Sequence, residues 1–216
     1  MPSTTSEDPR WAAPPRPPGR TLDRARIVAT ALEIADAEGL DAVSMPRLAR
    51  ELGSAPMSLY RHVPGKDALV ALILESALGD PPDLTGCPVR LGLEIWATAL
   101  REVLADHPWA VRLMAGPRQA GPAECRWAET LLAHVVGAGR PLGTAVEVLH
   151  LVHGYVRGAA ALAGDRLPTV ADLERSGRAD ELPLLARLLG GAVVRGPGGG
   201  EPLFESGLRR VLDAAL

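Results

Sequence analysis

Aromatic residues are scarce in this chain. They make up 3% of its 216 residues, with one phenylalanine, two tyrosines and four tryptophans. A core built without them has to be filled by leucine, valine and alanine. Cysteine is nearly absent too. Cys87 and Cys125 stand alone, without metal-type spacing, and two cysteines make no disulfide framework. Both read as reduced thiols of a cytoplasmic protein. Lysine occurs once, at Lys66, so arginine carries nearly all the positive charge. The net charge of −3 leaves no global basic field, and any contact with nucleic acid must rest on a local patch. No apolar run reaches the length of a membrane span, and the N-terminus has no apolar signal region, so neither a membrane role nor secretion is indicated. The Gly-x-Ser-x-Gly elbow, the P-loop and His-Glu-x-x-His are all missing. Gly198, Gly199 and Gly200 follow no strand and read as linker, not as a phosphate cradle. The chain is therefore not expected to be an enzyme, and no cofactor is expected.

What is present is helical punctuation around leucine-rich stripes. Residues 1–19 are rich in Ser, Thr and Pro and read as a disordered arm. A basic arm using Arg10, Arg16 and Arg20 on phosphate is the functional alternative. Thr21 is placed to cap a first helix over 22–38, with Ile27, Ala31, Ile34 and Ala35 as its buried stripe. A fourth helix over 65–79 follows Pro64-Gly65, and Gly79-Asp80-Pro81-Pro82 marks a domain boundary. Beyond it, helical patterns cover 88–106 (stripe Leu91, Ile95, Ala99, Leu100, with Trp96 beside it), 108–116, 122–137 and 142–163. The pattern over 168–190 breaks at Gly177. Gly196-Pro197-Gly198-Gly199-Gly200 reads as a loop, and a last helix over 201–216 carries Phe204, Leu208, Val211, Leu212 and Ala215. No strand alternation is convincing. The fold class is all-α, in two helical units over 20–79 and 80–216.

The organising stretch runs from Leu48 to Val63. Leu48, Ala49 and Leu52 share one face of a short helix. Gly53 can end it in a left-handed conformation. Ser54 is expected to cap the next helix, and Pro56 suits its first turn. Ser44 is expected to cap the preceding one. That second short helix is small and polar outside, the layout of a helix-turn-helix whose second helix enters the major groove. A pair of helices serving only a core is the competing reading.

Met57-Ser58-Leu59-Tyr60-Arg61-His62-Val63-Pro64-Gly65-Lys66-Asp67-Ala68-Leu69 resembles the signature of the tetracycline-repressor (TetR) family. The resemblance is strong over about 20–79 and weaker beyond, through His107-Pro108-Trp109, Gly116-Pro117-Arg118 and Phe204-Glu205-Ser206-Gly207-Leu208. It implies a ligand-released repressor that binds double-stranded DNA, with a helix-turn-helix DNA-binding domain over 20–79 and a helical ligand-binding and dimerisation domain over 80–216. Matching positions for DNA contact are Ser44, Arg47, Ser54, Pro56, Met57, Ser58, Tyr60, Arg61, His62 and Lys66. Arg47, Arg61 and Lys66 suit phosphate, and Tyr60 and His62 can donate to it. The base-reading slots hold Ala55, Pro56, Met57 and Ser58, so direct readout falls to Ser58, Arg47 and apolar contact with thymine methyls.

Gly154, Gly158 and Ala161 place small residues on one helix face, where another helix can approach closely. With Phe204, Leu208, Val211 and Leu212 they suggest a four-helix interface across a twofold axis. The family resemblance implies the same homodimer, reading a palindromic operator. Packing within one chain is the alternative. For the effector, Trp96, Trp109 and Trp127 fall on consecutive helices around a plausible cavity, with Leu113, Met114 and Leu131 as apolar lining and Arg118, His134 and His150 as polar groups. Such a lining suits a small, largely apolar ligand. His150 and His153 are three apart, but no third ligand is evident, so no metal is expected. A helical small-molecule binder without DNA function, or a regulator that activates or answers a protein partner, is the alternative function.

Overall fold

The computed structural model describes residue 10 and residues 22–116, 118–163, 168–190 and 203–216. The disordered-arm assignment, Thr21 and the glycine loop at 196–200 fall outside the described residues, Arg10 apart. Among the described residues every regular element is helical, and no helix is long and apolar enough to cross a membrane.

Helix α1 spans Arg24–Glu38. Asp23 caps it, its carboxylate accepting the Arg26 N–H at 2.8 Å. Ile27, Val28, Ala31, Ile34 and Ala35 are its buried stripe. Gly39, at φ 86°, ends it by donating to the Ala35 carbonyl. A single 3-10 turn over Leu40–Ala42 leads to α2, Met45–Glu51, where the Ser44 hydroxyl accepts the Arg47 N–H at 3.3 Å. Gly53, at φ 61°, closes α2. Helix α3 is Pro56–Tyr60, and its N-cap is Ala55. The expected Ser54 cap is not formed. The Ser54 hydroxyl instead donates to the Ala55 carbonyl at 3.4 Å, because the chain needs one more extended residue before Pro56 can open the helix. Leu59 and Val63 anchor α3 against Leu48, Leu69 and Ile73, all fully buried. Helix α4, Lys66–Leu78, ends at Gly79.

The second half is built around α8, Leu142–Ala163. Against it pack α5 (Val89–Asp106), α6 (Pro108–Ala115), α7 (Pro122–Gly137) and α11 (Leu203–Ala215). Helices α9, Val170–Arg175, and α10, Pro183–Leu189, form a hairpin broken at Gly177. Two stripes differ from expectation. On α5 the buried face is Gly92, Leu93, Trp96, Ala97, Leu100 and Leu104, while Leu91 is exposed and Ile95 and Ala99 are half-buried. Apolar residues run most of the way round this helix, so spacing alone does not select a face. On α11, Leu208 and Leu212 are buried against α8 of the same chain, with Phe204 and Val211 half-buried beside them.

Two joints tie the first four helices to the rest. Asp36 of α1 accepts from both His107 Nδ1 and Trp109 Nε1, each at 2.7 Å. At the second joint, Glu75 of α4 accepts the Ala123 N–H at 2.7 Å, and Trp127 donates to the Leu78 carbonyl at 3.1 Å. Burial holds the Glu75 carboxyl above its usual range, against the lowering effect of that N–H. Arg10 donates to the Gln119 carbonyl at 3.0 Å, in the α6–α7 connection. This contact is to the body of the protein, not part of an outward basic arm.

Candidate functional site

The turn between α2 and α3 presents a compact polar end. Met57 is 74% and Tyr60 45% exposed. Pro56, Arg61, His62 and Lys66 are exposed as well, and Ser44, Ser54 and Ser58 are half-exposed. Arg61 donates to the Ser58 hydroxyl at 3.2 Å. No carboxylate occurs between residues 52 and 66, and the exposed Glu51 and Asp67 flank the stretch. Arg47 is placed differently from expectation. It holds Glu38 at 2.8 Å and Glu51 at 2.9 Å. Hydrogen bonding to Glu38 raises the guanidinium further above its usual range, and Arg47 lowers the Glu38 carboxyl. A phosphate at Arg47 would have to displace these partners. Glu38 lies nine residues earlier, across the 3-10 turn, and no local spacing rule announces it.

A cavity of about 210 Å³ lies among α4, α5, α6, α7 and α8. Trp96, Met114, Trp127 and His150 line it, four of the nine residues singled out from the sequence. The remaining lining includes Leu78, Leu100, Glu124, Leu149 and His153, which sequence reasoning did not select as site residues. The two indoles meet edge to face, centroids 5.5 Å apart at 72°. Glu124 looks from sequence like a solvated helix-start residue. Its oxygens accept from Arg118 Nη1 at 2.5 Å, from Arg118 Nη2 and from the Gly121 N–H at 3.2 Å. Burial alone would raise its carboxyl, but those hydrogen bonds override it and the net shift is downward. His153 is pushed down to about 4, first by burial and then by Arg157. Its position one turn from His150, on the face of Val152 and Val156, was the available signal.

The other five expected lining residues lie elsewhere. Trp109 is turned to α1 by Asp36. Leu113 is half-buried, its carbonyl accepting from Arg118 at 2.8 Å, and Arg118 reaches the cavity only through Glu124. Leu131 is fully buried in the core. His134 borders a wider, more open hollow of about 580 Å³ beneath the 81–87 connection. Its Nε2 is buried without a partner, pressed against Gly92, where a Cβ would stand 2.0 Å away. Among the described residues no group of three metal-type side chains converges.

On the outer side of α8, Gly154, Gly158 and Ala161 are exposed, and added Cβ atoms at the two glycines would meet nothing within 4 Å. Leu142, Val146, Leu151 and Leu162 are exposed along the same helix. Leu208 and Leu212, expected in an intersubunit face, are instead core residues of a single chain, because α11 turns its apolar stripe onto α8.

The geometry agrees with comparisons to known proteins. Residues 27–73 match the family described as bacterial regulatory proteins, tetR family, and residues 90–214 match the tetracyclin repressor-like, C-terminal domain. The chain is 38% identical over 154 residues to the HTH-type transcriptional repressor DrrR1 of Streptomyces coeruleorubidus, covering 68% of this chain and 56% of that one. An HTH-type transcriptional regulator of Saccharopolyspora erythraea is 32% identical, with 60% of its length spanned. The chain thus spans under two thirds of these two relatives. An HTH-type transcriptional repressor of Mycobacterium tuberculosis is 31% identical over 206 residues, 88% of this chain and 78% of that one. Among solved structures, apo ActR of Streptomyces coelicolor superposes with a TM-score of 0.72 at 28% identity, covering 90% of this chain and 95% of that one. ActR in complex with actinorhodin gives 0.71 at 27% identity, covering 90% and 97%. With both halves matched by family models and an aligned relative over most of its length, the chain belongs to the tetracycline-repressor (TetR) family.

Proposed function

We propose that this protein is a DNA-binding transcriptional repressor that acts as a homodimer on a palindromic operator and is released by a small, largely apolar molecule. Residues 20–79 serve as the reading unit and 80–216 as the regulatory and dimerisation unit. The observation that carries the reading is the exposed end of α3. Met57, Tyr60, Arg61 and His62 stand out with Lys66 on a stretch that holds no carboxylate from 52 to 66, the surface a short helix needs to enter a negatively charged groove. The relatives named as repressors support the direction of control.

The exposed small residues of α8 support dimerisation through that helix, since they let a second backbone approach closely. Two copies then offer two α3 helices, spaced for successive major grooves. The cavity supports effector control. Trp127 forms one wall and also donates to Leu78 at the end of α4, so a molecule that shifts α7 shifts the helix that follows α3. Release needs only that the effector bind the shifted state better. A coupling of ~1–3 kcal/mol weakens DNA binding roughly 5- to 150-fold.

The test is selection of duplexes from a random pool at low salt, followed by gel shift. The expected product is an inverted repeat bound with a steep salt dependence, and Tyr60→Phe and Lys66→Ala should weaken it without unfolding the chain. Recovery of no sequence, with only small-molecule binding left, would favour a sequestering protein without DNA function.

A further inference from the structure

The polar atoms around the tryptophan cavity narrow the chemistry of what can fill it. Trp96 Nε1 donates to the Trp127 carbonyl at 2.9 Å, and Trp127 Nε1 donates to the Leu78 carbonyl at 3.1 Å. Both indole N–H groups are spent, so these walls offer a ring face and a ring edge but no hydrogen bond. Glu124 is no freer. Arg118 takes both of its oxygens and neutralises its charge. His150 Nδ1 lies 2.7 Å from the Val146 carbonyl, which only accepts. The proton is therefore on Nδ1, and in the neutral ring Nε2 is an acceptor.

His153 completes the set. Its ring stands edge-on to Trp96, centroids 6.3 Å apart. Among the described residues neither of its ring nitrogens has a hydrogen-bond partner, and burial keeps the imidazole uncharged at neutral pH, leaving one donor and one acceptor. Arg157 acts on His153 through its charge, and its Nε is buried without a partner, but it does not line the cavity. The lining itself therefore holds acceptors and one donor, and its nearest cation, Arg157, stands behind His153 and outside the lining. A carboxylate entering here would lose its water and touch no counter-charge on the lining.

We infer that this cavity takes an uncharged aromatic molecule bearing a hydroxyl group, the hydroxyl exchanging hydrogen bonds with His153 and His150, and that it rejects a carboxylate of the same shape. This rests on reading the cavity as the effector site. Its volume of about 210 Å³ is below the ~300 Å³ at which drug-sized pockets begin, which favours a ring system of naphthalene size.

The test is calorimetry of the full chain at pH 7.5 with 2-naphthol, 2-methylnaphthalene and 2-naphthoate, which share a ring system and differ in one substituent. The naphthol should bind tightest. The methyl compound should bind roughly five- to tenfold more weakly, for the lost neutral hydrogen bond. The naphthoate should be weaker by roughly a hundredfold or more, for the unpaired buried charge. His153→Phe should remove the advantage of the naphthol over the methyl compound and leave the methyl compound unchanged. If that variant does not fold, the ranking on the unaltered chain decides. Naphthoate binding as tight as naphthol binding overturns the inference and leaves the cavity a ligand site. No heat from any of the three removes the effector-site reading, and the inference with it.

Discussion

Replacing Glu75 should loosen the joint through which the cavity is proposed to act on α3, and a second substitution tests why. Glu75 Oε2 accepts the N–H of Ala123, a fully buried residue in the first turn of α7. Glu75→Ala strands that donor, at a cost of ~1–3 kcal/mol. It also removes a carboxylate from a helix N-terminus, ~0.3–1 kcal/mol more. Against this, the substitution relieves the burial of a carboxyl that burial holds above its usual range. The net loss should be ~1–2 kcal/mol. Gly121→Ala reaches the same bond from the other side. A Cβ at Gly121 would stand 1.8 Å from Glu75 Oε1, so the carboxylate must swing away and Ala123 again loses its acceptor. Because both changes break one bond, the double variant should cost about 1 kcal/mol less than the two single losses added together. Urea unfolding of the four chains, followed by circular dichroism at one protein concentration, measures this. Losses that add to within ~0.3 kcal/mol would mean that Glu75 and Gly121 act independently and that this joint is misread.

Three further outcomes follow from single contacts. Burial lowers His153 to about 4 from an ordinary 6.5, so its contribution is present above pH 6.5 and is lost as pH falls through 4. Stability should decline by roughly 3 kcal/mol across that window, with the decline reduced in His153→Phe, and an identical acid slope in the variant would contradict the assignment. Gly92→Ala drives a Cβ into the His134 ring, 2.0 Å from Nε2 and 2.7 Å from Cδ2. It should cost ~1–3 kcal/mol and be rescued by adding His134→Ala, whereas an unchanged unfolding midpoint would show that the ring moves freely. Gly158→Leu adds bulk where the single chain has open space, so the chain should keep its fold and lose its dimer in sedimentation. A dimer as tight as before would take Gly158 out of the interface.

Much of the helical layout was legible because punctuation residues bound the helices. Gly39, Gly53 and Gly79 end α1, α2 and α4 in conformations that other residues adopt poorly, and Pro108 and Pro122 open α6 and α7. Ser54 misled because a good capping residue next to Pro56 looks like the cap, although the extended residue just before the proline takes that place. The exposed end of α3 was legible from the Met57–Lys66 motif. Most of the cavity lining was not. Trp96 and Trp127 were found as large apolar residues at helical spacing, but the same reasoning also selected Trp109, whose direction is set by Asp36 some seventy residues away. Glu124 stayed hidden, and His153 was weighed only as half of a metal pair, because polar residues on amphipathic helices ordinarily face water. Only the folded chain shows them beside tryptophan. The α11 stripe was correctly seen as one face, but a stripe does not say whether it meets its own α8 or another chain's.

The central claim is that two identical chains present two α3 helices to a symmetric duplex at a spacing held by the helical body. Sedimentation of the full chain with a duplex recovered by selection, over a series of salt concentrations, tests it most directly. The account predicts two chains per inverted repeat and an affinity that falls steeply as salt rises. A chain that sediments alone and leaves every selected duplex free at low salt would contradict it.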